Sequence, residues 1–96
     1  MNLFGSREAQ AFARELAGFI LDELGDAAQA PGPKFKGKAE RALKKAARRI
    51  DEFKSRHRLN WFQRSRAGNA FLWALKDRGC HEAYANELAE WFVLQV

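Results

Sequence analysis

The sequence contains few residues that favour β-strands. Its β-branched residues are Ile20, Ile50, Val93 and Val96, and threonine is absent, whereas alanine occurs 17 times and leucine 10 times. Branched side chains favour strands, while alanine and leucine are among the best helix formers. The composition therefore argues against a sheet and predicts an all-α fold.

Cysteine and long apolar segments are also scarce. Cys80 is the single cysteine, so the chain can form no internal disulfide. The longest unbroken apolar segments, 71–75 and 91–94, are far shorter than the roughly 18 residues that cross a bilayer. The first residues lack the cationic and apolar pattern of a secretory signal. We expect a cytoplasmic protein that has no membrane partner.

The 96 residues are sufficient for one small domain with one hydrophobic core. Apolar residues recur at spacings of three and four, which is the period of an amphipathic helix. The pattern predicts four helices, at about 6–24, 38–58, 61–77 and 81–95. Residues 25–37 contain both prolines and are expected to form a basic linker, because proline cannot continue a helix.

Capping residues mark several of these helix ends. Ser6 is a candidate N-cap for the first helix, and Gly25 is a candidate stop. Asn60 followed by Gln63 has the spacing of a capping box at the start of the third helix, which Gly79 should end.

The net charge of +5 hides a polarised distribution. Residues 1–33 carry a net charge of −3, residues 34–78 a net charge of +11, and residues 79–96 a net charge of −3. A strongly basic segment favours polyanionic partners, of which nucleic acid is the commonest in a cell.

The predicted second helix has separate apolar and basic faces. Its apolar positions follow a period of 3.5 residues: Ala39, Leu43, Ala46, Ile50, Phe53 and His57. Cations cluster on the opposite side and in the linker before it, and we predict that they contact nucleic acid, DNA in the first place: Lys34, Lys36, Lys38, Arg41, Lys45, Arg48, Arg49 and Arg56. A regulatory or accessory role in DNA handling would follow.

Two alternatives to nucleic-acid binding remain open. The face could be solvated, or neutralised by the acidic first and fourth helices. It could instead dock an acidic protein, which would make the chain a structural or adaptor protein. An anionic membrane is disfavoured because the apolar side of this helix is largely alanine. The fourth helix carries Glu82, Glu87 and Glu90, so it is unsuited to be the recognition helix of a helix-turn-helix.

Large aromatic residues are abundant, with three tryptophans and eight phenylalanines. A four-helix monomer of this size does not readily bury so much apolar surface, so we expect a homodimer. The expected interface residues are Trp61, Phe71, Trp73 and Trp91.

The adjacent Trp61 and Phe62 allow two interpretations. An aromatic pair at a helix start usually packs onto the preceding helix as a staple, and we favour that role. The alternative is stacking on unpaired bases, because arginines lie nearby in the sequence.

The sequence offers no catalytic, metal or cofactor site. Cys80 and His81 are neighbours and would point about 100° apart on a helix, so they cannot jointly bind one metal ion. We expect Cys80 to be a packing residue, and His57 to lie at the core edge, bonded to a carbonyl. The chain is not expected to be an enzyme.

Overall fold

A computed structural model shows an all-helical domain with four helices and a connecting 3-10 turn. We describe residues 3–29, 32–33 and 35–96, and for residues 3–6 the backbone only. Helix α1 spans Leu3–Leu24, α2 spans Phe35–Arg56, α3 spans Trp61–Asp77 and α4 spans Glu82–Gln95. A single 3-10 turn, Gly25–Ala28, follows α1. None of the described residues belongs to a β-strand, which confirms the predicted fold class.

The helix ends follow their capping residues closely. The Asn60 side chain accepts a hydrogen bond from the Gln63 amide (2.8 Å), and the Gln63 side chain accepts one from the Asn60 amide (3.0 Å), which confirms the capping box. Gly25 and Gly79 have positive φ angles of 57° and 82°, a conformation that favours glycine.

Two predicted helix starts differ from the structure. Helix α1 begins at Leu3, so Ser6 lies inside its first turn and is not the N-cap. Helix α2 begins at Phe35, so Lys36 and Gly37 are helical residues rather than part of an extended arm. Lys34, which was assigned to the same arm, lies outside the described residues.

Helix α1 packs against both α2 and α3. Its largest contact is with α3, and it buries Ala9, Ala13 and Ala17, whose small side chains permit a close approach. Helix α2 runs antiparallel to α1, because Lys45 of α2 pairs with Glu23, while the later Phe53 of α2 stacks on the earlier Phe12 of α1.

Helix α4 completes the core with a cluster of phenylalanines. It runs antiparallel to α3, and Phe92 stacks on Phe71 with ring centroids 4.5 Å apart. Phe12 of α1 stacks on Phe53 of α2 at 4.3 Å and lies 6.5 Å from Phe92. Phe71 is completely buried inside one chain, so it is a core residue and has no surface to offer a second copy.

Candidate nucleic-acid interface

Helix α2 turns one side to the core and the other to solvent. Ala42, Ala46, Ile50 and Phe53 are buried. The predicted binding residues of α2 all lie on its exposed surface: Lys36, Lys38, Arg41, Lys45, Arg48, Arg49 and Arg56. The amphipathic pattern thus leads to a helix whose cations reach solvent.

Two of these cations are held by α1. The Lys45 ammonium donates a hydrogen bond to the Glu23 carboxylate at 2.5 Å. The Arg49 guanidinium lies over the Phe19 ring, 3.8 Å from its centroid, which is a cation–π contact. On this flank of α2, one carboxylate of α1 pairs with Lys45, whereas the partner of Arg49 is an uncharged ring.

Three other cations lie in a row on the solvent side of α2. We call this row the outer ridge; it consists of Arg41, Lys44 and Arg48. All three are exposed, and no carboxylate of the described residues lies within 4.0 Å of their charged atoms. Their spacings of three and four residues keep them on one line. Arg41 and Arg48 are separated by about 10 Å along the helix axis. The outer ridge is therefore available to an external anion.

Lys44 was missed in the sequence prediction. Its angular position falls just outside the arc that was assigned to the basic face. Its distance of three residues from Arg41 and four from Arg48 is the signal that could have identified it.

A small polar hollow of about 130 Å³ lies between the two helices beside the outer ridge. Lys38, Arg41 and Lys45 line it together with Glu23. Three cations surround one carboxylate, so the local charge remains positive and favours an anion.

A second cationic surface lies at the connection between α2 and α3. We call it the aromatic corner; it consists of Arg58, Trp61, Phe62, Arg64 and Arg66. All five residues are exposed. Trp61 is 75% and Phe62 50% exposed, so the staple prediction is wrong. Their rings meet edge to face at 6.2 Å, and the Arg66 guanidinium lies 5.6 Å from the Phe62 centroid.

A hollow of about 350 Å³ adjoins the aromatic corner. Its lining residues are Lys54, His57, Arg58, Leu59, Arg64 and Val96. His57 is half-buried, as expected at a core edge, but its partner differs from the prediction. Its Nδ1 atom lies 2.9 Å from the Glu8 carboxylate of α1 rather than beside a carbonyl.

The other predicted interface tryptophans lie on α3 and α4. Trp73 is 57% exposed, and the Lys76 ammonium lies 5.3 Å from its ring. Trp91 is half-buried and packs against the core. Of the four residues predicted at a dimer interface, Trp61 and Trp73 thus have most surface free.

The only cysteine is buried in the core. Burial raises the pKa of the Cys80 thiol, because the thiolate would lose its hydration. Within the described part of the chain, no group of three His, Cys, Asp or Glu side chains is placed to hold a metal ion. The same part contains no helix that is long and apolar enough to cross a bilayer.

Comparison with known proteins identifies no relative of this chain. No protein-family model, curated protein or solved structure matches it. What the chain binds must therefore be inferred from its own side chains.

Proposed function

We propose that the chain binds nucleic acid, DNA in the first place, through the outer ridge of α2. The observation that carries this proposal is that the cations of one helix differ in whether the fold gives them a partner. Lys45 and Arg49 are engaged by α1, whereas Arg41, Lys44 and Arg48 have no partner among the described residues. Three aligned cations with no carboxylate of the described residues within 4.0 Å favour a polyanion.

The physical basis is release of the counterions that surround the phosphates. Each phosphate that a lysine or arginine neutralises frees condensed cations, so affinity should fall steeply as salt rises. Arg41 and Arg48 also present forked donors that suit phosphate oxygens. Such contacts position the protein on the sugar-phosphate backbone and discriminate little between nucleotide sequences.

The composition of the exposed surface of α2 favours nucleic acid over an acidic protein. Every exposed residue of α2 is charged or polar. Protein interfaces usually have an apolar or aromatic centre, which this surface lacks. A phosphate backbone needs no such centre.

A salt-dependent titration tests the proposed function. Purified protein is titrated with duplex DNA, single-stranded DNA and RNA at two salt concentrations. We expect binding to many sequences and a steep decrease in affinity with salt. Absence of binding at low salt would refute the proposal, and one saturable complex with an acidic protein would then support the adaptor alternative.

We further propose that the binding species is a homodimer that forms along a groove between α3 and α4. The groove has a volume of about 590 Å³, and Leu72, Val93 and Leu94 contribute its apolar lining. Leu94 is 84% exposed in the single chain. A second copy would cover this apolar surface, and the dimer would present two outer ridges to a nucleic acid.

A further inference from the structure

We infer that the aromatic corner binds unpaired bases, so that the nucleic acid preferred at this site is single-stranded. The inference builds on the proposed function, because the phosphates of the same strand would lie on cations. It adds a second site, at the α2–α3 turn, and a substrate class that the outer ridge alone does not define.

The first support is that the fold does not need the two rings. The start of α3 is already held by the Asn60–Gln63 capping box. Trp61 and Phe62 occupy the first two helical positions, yet neither is buried. A tryptophan that is 75% exposed contributes little to the core, so its ring is free to stack on a ligand.

The second support is the charge around the rings. Arg58, Arg64 and Arg66 are exposed, and no carboxylate of the described residues lies within 4.0 Å of them. The adjoining hollow also contains Lys54, whose ammonium donates a hydrogen bond to the Gln95 carbonyl at 3.0 Å. Cations next to exposed rings match a nucleotide strand, in which phosphates alternate with flat bases.

The same features disfavour other occupants. The bases of a duplex are stacked on each other and cannot reach Trp61 without unpairing. A second copy of this chain would bring an identical set of arginines to the corner in a two-fold dimer, and the like charges would repel. A single strand meets neither obstacle.

The experiment compares strands with and without bases. The ligands are a fluorescein-labelled oligothymidine and an abasic strand of the same length, about 12 nucleotides each. The variants are Trp61→Ala and the conservative Trp61→Phe, and the abasic strand is the control for contacts that involve phosphates alone. Fluorescence anisotropy gives the affinities, and thermal unfolding by circular dichroism checks that each variant is folded.

We expect Trp61→Ala to bind oligothymidine roughly 5- to 150-fold more weakly than the parent, which is the range for one stacked base. Its affinity for the abasic strand should be unchanged, and Trp61→Phe should retain most of the parent affinity.

Two results would overturn the inference while leaving the proposed function intact. One is a Trp61→Ala variant that binds oligothymidine as tightly as a binding-competent parent. The other is a Trp61→Ala variant that loses affinity equally for both strands. A parent that binds no strand and no duplex at low salt would refute both proposals.

Discussion

At the scale of single residues, neighbouring cations of α2 have different surroundings. Arg48 points to solvent, while Arg49, one residue later, lies over Phe19 of α1. Replacement of Arg49 should therefore affect stability, whereas replacement of Arg48 should affect binding. Charge in the sequence alone does not separate these two roles.

Phe71 gives a direct test of the core. Phe71→Ala removes a fully buried ring that stacks on Phe92, so the free energy of unfolding should fall by about 3 to 5 kcal/mol. Denaturant unfolding measures this loss. Because Phe71 packs within one chain, the loss should be the same at all protein concentrations. A loss that disappeared in dilute solution would place the ring at an interface between copies.

Cys80 should react slowly with thiol reagents. Its thiol is buried, and burial raises its pKa, so both access and the thiolate fraction are low. Below the pKa of an ordinary thiol, alkylation of the folded protein should be much slower than alkylation of the denatured chain. Mass spectrometry follows the reaction. Equal rates in the two states would show that the thiol is accessible.

The raised pKa of Cys80 also predicts the sign of a pH effect on stability. The folded protein keeps the thiol proton to a higher pH than the unfolded chain does. The contribution of this thiol to the free energy of unfolding is therefore complete below the pKa of the unfolded thiol. It decreases as the pH rises through the pKa of the folded thiol. Denaturant unfolding of the parent and of Cys80→Ala across this range measures the effect. A difference between them that stayed constant with pH would contradict it.

At the scale of helices, the start of α3 depends on one capping residue. Asn60→Ala removes the acceptor of the Gln63 amide and should lower the free energy of unfolding by about 1 kcal/mol. Asn60→Asp replaces the amide oxygen with a carboxylate oxygen, which can accept the same hydrogen bond, so this variant should retain most of the stability. Denaturant unfolding of both variants tests this role, and an equal loss in the two would contradict it.

The helices with strong local signals were predictable from the sequence. Asn60, Gln63 and Gly79 mark the ends of α3, and the structure has the bounds that they indicate. The start of α2 was not predictable in this way. Phe35 stacks on Tyr84 of α4 with centroids 4.0 Å apart, and this contact, 49 residues away in the sequence, supports the first turn.

The candidate site was predictable only in part. The period of α2 was enough to predict a basic side, because burial of the apolar side leaves the cations outside. Which cations remain free depends on where Glu23 and Phe19 of α1 lie, and one sequence does not show that. The exposure of Trp61 was missed for a similar reason, since the usual role of such a ring is packing.

At the scale of the whole molecule, α2 carries an excess of cations, whereas all the Asp, Glu, Lys and Arg residues of α4 are acidic. The cations of the outer ridge are on α2, whereas Glu82, Glu87 and Glu90 are exposed on α4. A polyanion would attract the first surface and repel the second. The fold is thus expected to approach nucleic acid in one orientation.

The proposed homodimer has a simple mass test. Light scattering at tens of micromolar should give about twice the 11.0 kDa mass of one chain. Leu94→Asp places a charge on the apolar groove and should return the protein to a monomer, while the fold remains intact because Leu94 is exposed. Leu94→Met, a change of shape without charge at the same position, serves as a control. A parent that is monomeric at this concentration would refute the dimer.

The most direct test of the central claim is the salt dependence of DNA binding after removal of the outer ridge. Two triple variants are compared with the parent. The ridge variant combines Arg41→Ala, Lys44→Ala and Arg48→Ala. The control variant combines Arg7→Ala, Arg14→Ala and Lys76→Ala, so it loses the same number of positive charges outside α2. If the ridge contacts phosphates, the first variant should bind duplex DNA more weakly and lose about one unit of log–log salt slope per lost contact. The second should stay close to the parent. Equal affinities and slopes for the ridge variant and the parent would contradict the account.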